Sequence, residues 1–430
     1  MKTHQTALRQ IQISLSLAMA TSVLALAGCQ GPTDNTGDTD EEVGEASLAV
    51  HQNHKKEGKR LYEKETFGGN GRTCLTCHSK STGTLSPAQI QDLYEEDPEN
   101  PLFLHDGSDD FQGNGASRIQ ADATILVRLP LPPNVTLADD PDATHVVVRR
   151  GIPTTFNTPA LDPVLMYDGR APDLESQALD AIHGHAQSTI EPTDAQLELI
   201  AEHQQTRKFF TSDDLADYAE GGCAPELPNG QSAAQKRGRK WFEDAYVPFA
   251  INSGSSRKGL CAICHSGPML NESNGFNPLP VAPFPTAPDA TSCSSPAQTG
   301  GRVPKGTRFQ SVLVSELNTA NNPVYLFVVQ TPGGAVTIPS PDPGRALITG
   351  NFSGFPTPGS EFSNFKIPTL WGVKKTAPYF HDSSAKTLEA LIEHYATFFA
   401  IATDCNIDGD PPLVMTAQDK ADLLAFLKLL

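Results

Sequence analysis

Cys74-Leu75-Thr76-Cys77-His78, CLTCH, decides the fold, and its pattern returns as CAICH at 261–265. C-x-x-C-H is the attachment signal for c-type haem. Two residues between the cysteines let both sulfurs reach the two vinyl groups on one porphyrin edge. The next residue then aims an imidazole at the iron from one face. A zinc knuckle would need a second Cys or His pair nearby at ligand spacing, and neither motif has one. A thiol redox pair needs no histidine after its second cysteine. Two haems are therefore expected, one on Cys74, Cys77 and His78 and the other on Cys261, Cys264 and His265.

The flanks of the two motifs repeat each other. Gly58-Lys59-Arg60-Leu61-Tyr62-Glu63 precedes the first, and Gly238-Arg239-Lys240-Trp241-Phe242-Glu243 the second. Each reads as the start of a helix leading into a haem loop. Downstream, Ile152-Pro153-Thr154, Tyr167-Asp168, Ala171, Leu174 and Glu175 follow one another in order. Ile367-Pro368-Thr369, His381-Asp382, Ala385, Leu388 and Glu389 follow in the same order. A chain of 430 residues is too long for one core, since single cores stop growing near roughly 250–300 residues. The reading is a mainly α fold of two cytochrome c-like helical haem domains, 51–220 and 221–430. The boundary falls in the Gly/Pro/Asn-rich stretch 221–230. The second half carries an insertion. Asn277 to Pro304 reads as loop, and the runs Ser311–Val314 and Tyr325–Val329 suggest a small hairpin within Val312 to Val336. Ala421, Leu423, Leu424, Phe426, Leu427 and Leu430 give a C-terminal helix its apolar stripe.

Hydrophobic residues make up 38% and charged residues 19%, which fits a globular protein. A formal net charge of −18 disfavours nucleic acid and anionic lipid as partners. Lys2 and Arg9, the mostly apolar Ile11 to Ala27 and the closing Leu26-Ala27-Gly28-Cys29 form an export signal over 1–28. The cysteine at the cleavage point resembles the bacterial lipoprotein box, which would make Cys29 a lipidated first residue. Residues 29–50 are acidic, lack apolar periodicity and read as a flexible tether. The expected place is the periplasm, anchored to a membrane (the outer one) through lipid. Cys223, Cys293 and Cys405 remain, enough for one disulfide of unspecified pairing.

PTTFNTPALDPVLMYDGRAPDLESQA (153–178) and FKIPTLWGVKKTAPYFHDSSAKTLEALIEHY (365–395) resemble the two hallmark segments of the bacterial di-haem cytochrome c peroxidase and MauG family. The resemblance runs from about Gly58 to the C-terminus. It implies a peroxidatic N-terminal haem ligated by His78 and an electron-transfer C-terminal haem ligated by His265. Glu175 matches the distal acid–base glutamate. The carbonyls of Thr376 and Pro378 match positions that bind a calcium ion between the haems. Three positions depart. The distal glutamine falls on Leu165, the calcium-binding asparagine falls on Gly151, and the methionine ligand of the second haem falls on Tyr395, where MauG proteins have a ligating tyrosine.

Each assignment has a plainer counterpart. Acids such as Asp173 and Glu175 are favoured at helix starts by capping and the dipole, and Glu389 sits in the same context. Tyr395 shares helical spacing with Leu388, Leu391 and Ile392, which is also a core stripe. His145 lies near the place of a displaceable distal histidine but begins a strand-like run, and His105 is a weaker candidate. His183 and His185 read as surface or cap residues, and Trp371 as an electron relay or a core aromatic. The resemblance implies an enzyme that uses hydrogen peroxide and draws electrons from a small redox protein or a protein substrate. The competing readings are a di-haem electron carrier and a haem oxygenase acting on an apolar substrate.

Overall fold

Runs free of proline precede each C-x-x-C-H motif, and both are helical. The computed structural model describes residues 45–162, 164–222, 225–243, 261–265, 267–271, 308–353, 361–404 and 413–430. The first half contains α1 (Glu45–Lys64), α2 (Cys74–Cys77), β1 (Thr124–Pro130), β2 (Val135–Leu137), β3 (His145–Gly151), α3 (Leu174–Gly184) and α4 (Asp194–Gln204). The second contains α5 (Ala233–Glu243), α6 (Cys261–Cys264), β4 (Phe309–Gln310), α7 (Val314–Leu317), β5 (Tyr325–Thr331), β6 (Gly334–Ser340), β7 (Phe365–Lys366), α8 (Leu388–Asp404) and α9 (Ala417–Leu427). The export signal, Cys29, the loop 277–304 and Cys223, Cys293 and Cys405 lie outside the described residues. Residues 45–50, read as the end of the tether, belong to α1. No described helix is long and apolar enough to cross a membrane.

The sequence repeat is a structural repeat. At Gly58 an added Cβ would overlap the carbonyl of Leu199 on α4; at Gly238 it would overlap that of Asp422 on α9. Only a residue without a side chain lets these helix backbones approach so closely. Gly238→Ala should therefore cost about 1–3 kcal/mol, the usual price of overpacking. A lowered thermal midpoint checks this, and an unchanged one would mean the crossing has slack. Downstream, the backbone of Leu165 bridges Ala171 (N to O 2.8 Å) as that of Tyr379 bridges Ala385 (2.7 Å). Met166 and Phe380 then turn through matching left-handed φ of 68° and 69°.

The hairpin differs from expectation. Ser311–Val314 forms no strand; Leu313 has φ 65° and is buried, and Val314 begins α7. The partner of β5 is β6, joined to it across Pro332-Gly333. β6 is mostly exposed, so it carried little apolar signal. β5 also pairs with β2 of the first half. Phe327 and Val329 of β5 share one core with Val135, Leu137, Val146 and Val148. The insertion thus seals the first half, and the described residues belong to one compact unit. A second core joins α5, α8 and α9 through Trp241, Phe242, Ile392, Phe399 and Phe426.

Candidate haem-binding cavity

α2 and α6 present their motifs in the same way. The His78 amide donates to the Cys74 carbonyl (3.1 Å), and the His265 amide to that of Cys261 (2.8 Å). His78 Nδ1 meets the Gly83 carbonyl at 2.9 Å, and His265 Nδ1 meets that of Leu270 at 2.8 Å, five residues on in both cases. A carbonyl only accepts, so Nδ1 carries the proton and Nε2 keeps the lone pair a metal needs. Burial lowers the pKa of both imidazoles, that of His265 to about 4. Burial also pushes Cys74, Cys261 and Cys264 up to about 12 and Cys77 up to about 11. Working redox C-x-x-C pairs have depressed pKa values. Burial favours the protonated thiol at all four positions.

Both motifs wall one cavity, lined for the most part by apolar side chains such as Leu165, Leu174, Ile392 and Phe399. The Tyr62 hydroxyl and Ser363 Oγ are buried polar atoms of two residues that line it. Apolar walls, paired cysteines and oriented imidazoles together fit haem.

The remaining candidates fall at different places. Glu175 is half-buried in the first turn of α3, and Gln177 of the same helix lines the cavity while Glu175 does not. Glu389, its repeat counterpart, pairs with Lys428 at the surface (3.3 Å). Tyr395 faces the cavity, its phenol pKa raised by burial and by the nearby thiols of Cys261 and Cys264. Leu165, at the glutamine position, is buried on the cavity wall. Thr376 and Pro378 line the cavity as well. Gly151 donates its amide to the His381 carbonyl (2.7 Å), and a Cβ there would overlap Ser383 Oγ, so a side chain at the calcium-asparagine position would require the Ser383 hydroxyl to move. Trp371 donates from Nε1 to the Pro268 carbonyl (2.8 Å) and accepts at its own carbonyl from Asn157 (2.9 Å). His145 starts β3 as expected and lies off the cavity, as does His105, which packs on Phe111. His183 pairs with Glu191 at the surface (2.9 Å).

His185 is more than a cap. It ends α3, lines the cavity, and bonds through Nδ1 to Asp106 Oδ2 at 2.5 Å. Burial would raise the Asp106 pKa, but His185 and Arg72 pull it below its ordinary value. Arg72 is buried, pairs with Asp106 and donates to the carbonyls of Pro101, Leu102 and Leu104. Sequence spacing gave no sign of this cluster, because its members lie 34 and 79 residues apart. A second buried network surrounds Arg150, which bonds Asp342 through Nε (2.8 Å) and Nη2 (3.0 Å) and also pairs with Asp168.

No protein-family model matches the chain. Cytochrome c551 peroxidase of Nitrosomonas europaea is 22% identical over 252 residues, 56% of this chain and 56% of that protein. The match thus spans little more than half of that relative. A MauG-like protein associated with microbial copper homeostasis aligns over 88% of each chain at 17% identity and TM-score 0.44. The di-haem peroxidase BthA of Burkholderia thailandensis E264 aligns over 87% of this chain and 85% of its own at 15% identity and TM-score 0.41. The chain is similar to the bacterial di-haem peroxidase and MauG family, as its two hallmark segments predict.

Proposed function

We propose that this protein is a periplasmic, lipid-anchored di-haem c-type oxidoreductase of the cytochrome c peroxidase/MauG type. It reduces hydrogen peroxide at the first haem with electrons passed through the second, drawn from a small redox protein or a protein substrate. One observation carries this reading: two C-x-x-C-H motifs open onto one cavity, each with its imidazole fixed by the carbonyl five residues on. Haem iron, when bound, supplies the electron transfer and the peroxide chemistry. The chain would hold the two haems by thioether bonds at Cys74, Cys77, Cys261 and Cys264 and by the imidazoles of His78 and His265. Tyr395, which lines the same cavity, is the proposed further ligand of the C-terminal haem, where a phenolate would stabilise oxidised iron. Trp371, tied to the first half through Asn157 and to the second haem loop through Pro268, is the proposed electron relay. Calcium, if it binds near Thr376 and Pro378, does so without an asparagine side chain at Gly151.

Proton transfer at the first haem is assigned to Glu175 on the family resemblance alone, since Gln177 and not Glu175 lines the cavity. General acid–base help is worth about 10²–10⁴-fold, so Glu175→Gln should slow peroxide-driven donor oxidation at least tenfold. Steady-state turnover at matched haem content measures this, and an unchanged rate removes Glu175 from the mechanism. The second reading, an electron carrier, draws on the apolar wall at Leu165. Spectra of the ferric protein separate the two. A five-coordinate high-spin haem that reacts with peroxide marks the peroxidase. Two six-coordinate low-spin haems and no reaction mark the carrier.

A further inference from the structure

We propose that Glu316, acting through Ser363, takes up a proton when the second haem is reduced and releases it on reoxidation. The inference rests on the di-haem reading above. The site is built from α7 and the segment before β7. Ser311 Oγ donates to Glu316 Oε1 (3.1 Å), and Glu316 Oε2 is fully buried. Ser363, 2% exposed, lines the haem cavity, and its hydroxyl bonds the Glu316 carboxyl. A hydroxyl both donates and accepts, so Ser363 can pass a proton between the acid and the cavity.

Surrounding elements tie the site to the second haem. The Val312 carbonyl accepts from His394 Nε2 (2.7 Å) on α8, next to Tyr395. β7 runs on to Pro368, whose carbonyl acts on His265. The ionisable groups on these elements are already committed. Asp342 is bound by Arg150 and Glu361 by Arg345 (2.9 Å). Asp382 Oδ1 accepts from the Ser384 amide (3.1 Å). His381 and His394 are pushed toward the neutral form by burial. Burial raises the Glu316 carboxyl to about 7, the Ser311 and Ser363 hydroxyls and its own backbone offset only part of this, and no charged side chain contributes. A carboxyl so poised changes protonation when a neighbouring charge changes by one.

The step balances. A one-electron donor adds one electron to the ferric iron, solvent supplies one proton, and the Glu316 carboxylate becomes the acid; reoxidation reverses both. The added negative charge favours the protonated acid, so the carboxyl pKa is higher in the reduced protein. Between its two pKa values each reduction captures a proton, and the midpoint potential falls as pH rises above neutrality. Potentiometric titration of the holoprotein at several pH values should show this slope for the second haem. In Glu316→Gln the slope should flatten, and in Glu316→Asp it should return. Infrared redox-difference spectra of the unaltered protein should show a protonated-carboxyl band gained on reduction. An undiminished slope in Glu316→Gln with both haems attached, or no carboxyl band, would overturn the proposal. Unaltered protein without haem would overturn the di-haem reading as well.

Discussion

His78→Ala is expected to abolish peroxide turnover while the second haem keeps its attachment and its spectrum. On the proposed assignment Cys74 and Cys77 would still hold the first haem by thioether bonds, so the protein should stay coloured. What is lost is the axial nitrogen that the Gly83 carbonyl holds in its lone-pair form at 2.9 Å. Loss of an outer-shell partner alone typically costs 10–100-fold, so loss of the ligand itself should exceed about 100-fold. His265→Ala is the control: it should leave peroxide binding at the first haem intact while disturbing electron supply. Turnover of His78→Ala within tenfold of the unaltered protein would show that the first haem is not the site of peroxide chemistry.

Arg150→Met should cost more stability than other single changes considered for this chain. Arg150 is 2% exposed and pairs with Asp168 from the first half and Asp342 from the second. Removing one partner of a buried ion pair typically costs about 3–5 kcal/mol, because the other charge is left stranded. Asp168 retains Arg170 (2.9 Å), but Asp342 loses both guanidinium contacts. The pH dependence follows. Burial would raise the Asp168 pKa, yet Arg150 and Arg170 hold it near 2, below the roughly 3.9 of an unfolded chain. Its stabilisation is therefore full above pH ~4 and fades as pH falls toward 2. Urea unfolding of the variant at neutral pH measures the loss, and a change under about 1 kcal/mol would show that the pairs contribute little.

Some of this was legible in the residues because it is local. The haem motifs, the repeat around Gly58 and Gly238, the β3 strand at His145 and the C-terminal helix each depend on spacing within a few residues. The matched turns at Met166 and Phe380 follow from the same repeat. Long-range partners were not legible. Val135–Leu137 gave no hint that its partner strand lay at Phe327–Val329, and the exposed face of β6 hid its pairing with β5. His185 read as a cap because its carboxylate, Asp106, is remote in sequence and adjacent only after α3 folds against the haem loop. Leu165, read as a missing glutamine, is an intact piece of apolar wall. Gln177 lines the same cavity, two residues beyond Glu175, and no periodicity distinguished the two.

The intact mass of the purified chain, after denaturation and acid–acetone extraction, bears most directly on the covalent attachment of both cofactors. The expected value exceeds that of the processed, lipid-free or lipid-bearing polypeptide by two haem groups, and colour stays with the protein. A mass equal to the polypeptide alone, with any pigment in the organic phase, would contradict the assignment of Cys74, Cys77, Cys261 and Cys264.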